Sequence, residues 1–133
     1  MAQAGNTYTV KLKPSHLDWG EYRNPTNREL ISGEGYIPIP KRYAVQYNIF
    51  NSNNNRIGLG YNLFRASSVD GFLQDVLLLA QGCSEAGDPY AKQFSVDNNL
   101  KLIGQWYKNC GATTNNSVRV TWVSSTDIVL EIV

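Results

Sequence analysis

Short runs of alternating apolar and polar residues dominate this chain and predict a fold made mainly of β-strands. A period of two residues is typical of a strand that buries one face. The runs lie at residues 8–12, 30–39, 57–63, 118–123 and 128–132. Residues 72–80 also fit a helix by their spacing, but turn residues bound this short apolar run on both sides. We therefore predict a strand there as well.

Two segments have the spacing of short helices. The apolar residues that follow Pro40 recur at helical intervals and predict a helix over residues 41–47. Proline suits the first turn of a helix, where its missing N–H removes no hydrogen bond. A second helix is predicted over residues 100–107, with Leu100, Ile103 and Trp106 on one side.

Two long polar segments, residues 14–27 and 82–99, separate these elements, and each contains aromatic residues. Polar loops of this length within a compact domain are usually either functional or disordered, and the aromatic residues and glycines in both segments favour functional loops. The pattern as a whole predicts about seven short strands, two short helices and two functional loops.

The composition is that of a folded domain, with 42% hydrophobic and 17% charged residues in a chain of 133. This length suits one domain that covers residues 1–133. No apolar run reaches the roughly 20 residues of a membrane-spanning helix, and the N-terminus lacks the pattern of a secretory signal. We therefore expect a cytoplasmic protein that does not enter a membrane.

The net charge of +1 is weak support for binding to nucleic acid, because a dedicated phosphate-binding domain is usually clearly basic. Six of the twelve lysine and arginine residues fall between residues 11 and 42, but four acidic residues lie there too. This mixed balance argues against binding by charge alone. It is compatible with a protein that reads base edges.

The residues that could carry catalysis or bind metal are few. Cys83 and Cys110 form neither a disulfide framework nor a CxxC pair, so we expect structural thiols. His16 is the only histidine, and no nucleophile elbow or phosphate-binding glycine motif is present. We therefore expect a binding module with no catalytic residue, no cofactor and no metal.

Two alternatives stay open at this point. One is a small enzyme, either a hydrolase that uses His16 or a metal-dependent nuclease, since a nuclease needs carboxylates for the metal and a nearby lysine. The nuclease set would be Glu85, Asp88 and Lys92. The other is a β-rich module for carbohydrate or protein with an aromatic stacking platform. The platform would consist of Trp19, Tyr22 and Tyr90.

Residues 36–47 resemble the strand-to-helix corner of B3-type DNA-binding domains. In that family a strand ends in Ile-Pro-Lys, and an alanine and a later aromatic residue dock the following helix. The matching residues in this chain are Ile39, Pro40, Lys41, Ala44 and Tyr47. Residues 100–107 resemble the family's second helix, which a turn and a strand follow in the same order. Through the spacing between these two anchors the resemblance covers most of residues 30–123.

The resemblance implies a mainly β fold, a seven-stranded open pseudobarrel with two short helices. The family includes plant transcription factors and the recognition domains of bacterial restriction endonucleases such as EcoRII and BfiI. Its members hold the major groove of DNA between two arms. Here the first arm would fall within residues 15–36 and the second within residues 83–98.

The implied function is sequence-specific binding of double-stranded DNA in a restriction system, with cleavage expected from another nuclease domain or subunit. Arginine, lysine, asparagine and glutamine can contact base edges, and lysine, arginine and serine can hold phosphates. We expect base contacts from Arg23, Arg28, Lys92 and Gln93, and phosphate contacts from Lys41 and Arg42. The other arm residues expected at the DNA are Asn24, Asn27, Ser84, Asp88 and Tyr90.

Overall fold

Seven strands form one curved sheet that is nearly closed into a barrel, as seen in a computed structural model that describes residues 2–17, 35–51, 58–82 and 89–133. The strands are Thr7–Lys11 (β1), Ile37–Pro38 (β2), Leu63–Ser68 (β3), Val76–Gln81 (β4), Gln93–Val96 (β5), Ser117–Trp122 (β6) and Asp127–Ile132 (β7). The described residues also contain three short helices, Pro14–Leu17 (α1), Lys41–Tyr47 (α2) and Leu102–Cys110 (α3).

The strand order is β1-β6-β7-β3-β4-β5-β2, so β1 and β2 are the two edges of the sheet. Neighbouring strands are antiparallel, except that β3 and β7 are parallel. The central strands bury alternate residues, as β3 and β6 show. The mainly β, seven-stranded fold expected from the sequence is confirmed.

Tyrosine hydroxyls span the gap between the two edge strands, which we call the seam. The Tyr8 hydroxyl on β1 donates a hydrogen bond to the carbonyl oxygen of Pro38 on β2, at 3.0 Å. From α2, the Tyr47 hydroxyl donates to the Thr7 carbonyl oxygen at 2.8 Å. These side chains satisfy carbonyl groups that have no ladder partner at a sheet edge, so they close the barrel where backbone pairing stops.

The barrel interior is filled by aromatic side chains around Trp122. The Trp122 ring lies 5.8 Å from Phe64 and 5.6 Å from Tyr47 between centroids, both with edge-on geometry. Such edge-to-face pairs stabilise a core beyond the burial of area. The buried indole N–H of Trp122 has no hydrogen-bond partner among the described residues.

Two sequence predictions hold well in the structure. The helix predicted over residues 41–47 is present with those bounds, and the ambiguous run at residues 72–80 contributes the strand Val76–Gln81. The predicted second helix begins later, at Leu102, and continues to Cys110, where Gly111 ends it with a φ of 65°. A left-handed glycine at this position is a common helix terminator.

The predicted strand at residues 57–63 is wrong for its described part. Residues 58–62 form a turn, in which Gly58 and Gly60 have φ values of 112° and 91°. The Gly58 carbonyl accepts hydrogen bonds from the backbone N–H groups of Tyr61, Asn62 and Leu63, which no strand residue could do. The strand begins only at Leu63.

Two elements lie where the sequence predicted polar loops. The helix α1 (Pro14–Leu17) adds a third short helix to the two expected. The strand β5 lies inside the predicted second arm, which therefore cannot extend to residue 98 as expected. Of the strand predicted at residues 30–39, only Ile37–Pro38 is a strand within the described part, and residues 30–34 lie outside it.

Candidate nucleic-acid interface at the roots of two polar arms

The two polar arms leave the barrel from neighbouring strands. The strand β2 follows the first arm, and it pairs with β5, which follows the second, through Ile37 with Phe94 and Pro38 with Gln93. The Ile39 N–H extends this pairing by donating to the Lys92 carbonyl oxygen at 2.8 Å. The C-terminal roots of both arms are therefore held side by side by backbone hydrogen bonds.

The first arm begins and ends at one place on the barrel. The Tyr36 N–H donates to the His16 carbonyl oxygen at 3.0 Å, which joins the end of α1 to the start of β2. Gly35 packs so closely on α3 that an added Cβ would lie 2.8 Å from both Cα and N of Gly104. The two ends of this arm are thus held together, with Gly35 packed against α3, although residues 18–34 lie outside the described part.

Asn51 holds both ends of the second arm. Its side-chain oxygen accepts a hydrogen bond from the Gly82 N–H at 3.1 Å, and its backbone N–H donates to the Pro89 carbonyl oxygen at 2.8 Å. Asn51 is only 1% exposed, and within the described part of the chain its Nδ2 donor has no hydrogen-bond partner. No sequence pattern indicated this role for Asn51, because the contacts join residues that are distant along the chain.

A small pocket of about 120 Å³ lies between the arm roots. It is lined by Ser15, His16, Tyr36, Pro38, Lys92 and Gln93. Lys92 is exposed, whereas Gln93 is half-buried because it begins β5. Two of the predicted DNA contacts, Lys92 and Gln93, are therefore brought together with the end of α1, which the sequence did not predict as a helix.

The ring of His16 has a defined hydrogen-bonding state. Its Nδ1 accepts a hydrogen bond from the Lys13 backbone N–H at 3.0 Å, so the ring proton resides on Nε2. Burial, and secondarily the positive charge of Lys13, lower the pKa of His16 from its usual value of 6.5. The imidazole is therefore mainly neutral at pH 7 and offers one N–H donor.

The predicted phosphate-contacting residues Lys41 and Arg42 lie on the exposed side of the first turn of α2. The Arg42 guanidinium carbon lies 4.8 Å from the centroid of the Tyr43 ring, a cation–π distance that orients the side chain. Ala44 and Tyr47 of the same helix are buried. Lys41 and Arg42 thus follow β2 and the arm roots directly along the chain.

The remaining predicted contacts divide into two groups. The Tyr90 ring is half-buried and stacks on Phe50 at 5.7 Å between centroids, so packing occupies one of its faces. The others lie outside the described residues: Arg23, Asn24, Asn27, Arg28, Ser84 and Asp88. Trp19, Tyr22, Glu85 and Cys83, which belong to the alternative readings and the thiol prediction, also lie outside them.

Several described acidic residues lie on other parts of the barrel. Asp127 pairs with Arg65 at 2.9 Å and Glu131 with Arg119 at 3.0 Å, in ion pairs that join β7 to its two neighbouring strands. None of the described residues that line the pocket at the arm roots is acidic. The described part of this site therefore presents cations and neutral donors.

A second cavity, of about 570 Å³, lies between α3, β7 and the residues that follow β3. Asp70 accepts hydrogen bonds there from Trp106 Nε1 at 3.2 Å and from Cys110 Sγ at 3.1 Å. Burial, followed by the contact with Asp70, raises the pKa of Cys110 to about 11. This thiol is therefore protonated near neutral pH, as a structural cysteine would be.

Two further findings apply to the described ranges 2–17, 35–51, 58–82 and 89–133. There, no three histidine, cysteine, aspartate or glutamate side chains come together in a way that could hold a metal ion. The helices in these ranges also lack the length and apolar character that crossing a membrane requires.

Comparison of the chain with protein-family models, with curated proteins and with solved structures finds no match.

Proposed function

We propose that this protein binds double-stranded DNA in a sequence-specific manner, with its two arms in the major groove. The observation that carries the proposal is the pairing of β2 with β5, which places the roots of both polar arms side by side. Because this pairing is antiparallel, the chain reaches the two adjacent roots from opposite strand directions, and two arms rooted in this way can flank a groove about 12 Å wide. Arms that left from opposite ends of the barrel could not do so together.

The residues behind the resemblance to B3-type domains support the same function. The strand Ile37–Pro38 continues through Ile39 and Pro40 into α2, and Ala44 and Tyr47 dock that helix on the barrel with 0% and 8% exposure. This is the arrangement that the family's Ile-Pro-Lys corner implies. By this resemblance the protein would be the recognition module of a restriction system, with cleavage by another domain or chain.

Local charge also favours DNA, although the net charge is only +1. Lys13 and Lys92 lie at the arm roots and form no ion pair with any described residue, whereas Arg65 and Arg119 are neutralised by carboxylates elsewhere. A phosphate backbone approaching the arms would therefore meet uncompensated cations. Arg23, Arg28 and Gln93 remain the proposed base contacts, and Arg42 a proposed phosphate contact.

Selection from random duplexes followed by gel-shift titration tests the proposal. We expect a reproducible motif, and we expect Arg28→Ala to weaken binding to it at least tenfold, as loss of a two-pronged base contact does. Lys108→Ala, an exposed lysine in the last turn of α3, is the matched control and should leave binding unchanged.

Absence of duplex binding even at low salt would overturn the proposal, since low salt maximises the attraction to phosphates. Cleavage of DNA by the purified chain with Mg²⁺, abolished by Asp88→Ala, would instead assign the arms to a nuclease.

A further inference from the structure

The pocket between the arm roots contains hydrogen-bond donors that have no partner among the described residues. Four side-chain groups in this pocket donate no hydrogen bond to another described residue. They are the Ser15 hydroxyl, the Nε2–H of His16, the Lys92 ammonium and the side-chain amide of Gln93. These donors come from two separate elements, the helix α1 and the start of β5. Ser15, His16 and Gln93 are half-buried, and donors that lose hydration without gaining a partner favour an acceptor-rich ligand.

The charge of the pocket restricts that ligand to an anion. Lys92 contributes a positive charge, Lys13 places a second one close enough to lower the pKa of His16, and no described lining residue is acidic. The described cations of the barrel wall, Arg65 and Arg119, already have carboxylate partners at 2.9 and 3.0 Å. An anion that binds at the arm roots can therefore accept hydrogen bonds from donors that no described residue occupies.

We infer that this pocket binds one phosphate group, and that in the complex this is a phosphodiester of the DNA backbone held by Ser15, His16 and Lys92. The inference rests on the proposed DNA-binding function for the source of the phosphate. The pocket volume of about 120 Å³ is sufficient for one phosphate group. The hydroxyl, the imidazole N–H and the ammonium are all side-chain groups that hold phosphate oxygens.

This assignment changes the role expected for Lys92. The sequence predicted a base contact, but Lys92 lies at the root of its arm, two residues after Tyr90, whose ring packs on Phe50 at the barrel. A phosphate contact fixes the register of the protein on DNA and does not distinguish sequences. Loss of Lys92 should therefore weaken binding to all duplexes alike.

The single histidine of the chain makes the pocket observable by NMR, because its ring C–H resonances belong to His16 without ambiguity. Inorganic phosphate and a selected duplex are titrated separately into the full chain, with sodium chloride at matched ionic strength as the control for phosphate. Both ligands should shift the His16 resonances in a saturable manner, whereas chloride should not. Lys92→Ala should weaken the phosphate response about tenfold, and Lys108→Ala should leave it unchanged.

The second measurement is the salt dependence of duplex affinity. Removing one phosphate contact lowers the slope of log affinity against log salt by about 1. We expect this change for Lys92→Ala and for Lys92→Gln, with the same fold-loss on selected and unrelated duplexes. Lys92 is exposed, so neither variant should alter thermal unfolding.

The possible outcomes separate the two proposals. If phosphate shifts His16 but no duplex binds, the anion pocket stands and the DNA-binding function falls. If a duplex binds but leaves His16 unshifted, and the Lys92 variants keep the wild-type salt slope, the pocket assignment is overturned while DNA binding stands. A loss on Lys92→Ala that is confined to the selected sequence would also overturn it, because that is the behaviour of a base contact.

Discussion

The seam between the edge strands β1 and β2 should depend on individual tyrosine hydroxyl groups. Tyr8→Phe removes the hydrogen bond to the Pro38 carbonyl oxygen, and Tyr47→Phe removes the one to the Thr7 carbonyl oxygen. Both substitutions keep the rings, so the aromatic packing around them is preserved. The effect of each variant therefore reports the loss of one hydroxyl group.

The expected magnitude follows from what each substitution leaves behind. A typical hydrogen bond contributes about 1 kcal/mol to stability, and a buried carbonyl left without a partner adds to that loss. Tyr8 and Tyr47 are 2% and 8% exposed, so water does not readily replace the hydroxyl. We expect each variant to lower the free energy of unfolding by about 1–2 kcal/mol.

Equilibrium unfolding in urea, followed by tryptophan fluorescence, measures this change. With a slope of about 2 kcal/mol per molar, the midpoint should fall by about 0.5–1 M in each variant. Tyr43→Phe is the matched control. Its half-buried ring stacks on Tyr8, but among the described residues its hydroxyl has only a 3.4 Å contact, from the exposed Arg42. Equal midpoint shifts in Tyr8→Phe and Tyr43→Phe would refute the proposed closure of the seam by hydroxyl groups.

Alkaline pH should lower the free energy of unfolding. Burial raises the pKa of Tyr8 and of Tyr107, whose hydroxyl donates to the Tyr36 carbonyl at 2.6 Å, well above the usual 10.0. Above pH 10 the unfolded chain releases these protons while the folded chain retains them. Stability is therefore fully present below pH 10 and is lost as pH rises towards the folded pKa, by up to about 1.4 kcal/mol per pH unit for each tyrosine. Tyr107→Phe should flatten this loss; an unchanged pH profile would contradict the assignment.

Three further predictions concern the arm roots and the thiol. Gly35→Ala should lower the free energy of unfolding by about 1–3 kcal/mol, because the added Cβ would lie 2.8 Å from the backbone of Gly104, which belongs to a helix and cannot move aside easily. Thermal unfolding measures this change, and an unchanged Tm would contradict the packing. Asn51→Ala should speed hydrogen exchange of the Gly82 amide, which loses its acceptor. Unchanged protection of this amide would show that Asn51 does not hold the start of the second arm. In a Cys83→Ser variant, the thiol of Cys110 should react with iodoacetamide at pH 8 about a hundredfold more slowly than free cysteine. The reason is that a pKa of about 11 leaves roughly one thiol in a thousand ionised at this pH. Reaction at the rate of free cysteine would contradict that pKa.

The elements that the sequence predicted well are those whose signal is local. Helix α2 has a proline at its start and apolar residues at helical spacing, so its bounds could be read directly. The strand β4 could be identified because turns bound its apolar run, and β6 and β7 because their residues alternate. Residues 58–62 were wrongly predicted as part of a strand, because their apolar residues alternate with glycines. These glycines instead form a turn.

The strand β5 shows why local sequence patterns do not predict every element of the site. Its four residues are preceded and followed by polar residues, and they become a strand because β4 and β2 pair with them on either side. The helix α1 is equally short, with a single turn. The hydrogen bond from the Lys13 N–H to the His16 ring is formed by polar groups, so no hydrophobic pattern indicates it. Short elements of this kind depend on tertiary contacts because they bury too little surface to be stable alone.

By itself, the sequence determined that the chain is mainly β, that a proline leads from an edge strand into helix α2, and that polar segments interrupt the strands, because alternation and proline act within a few residues. Only the tertiary structure decided that β2 lies beside β5, that Asn51 joins Gly82 to Pro89, and that Lys92 shares a pocket with His16. These contacts join residues far apart in the chain, and their geometry depends on how the whole sheet curls rather than on any local pattern.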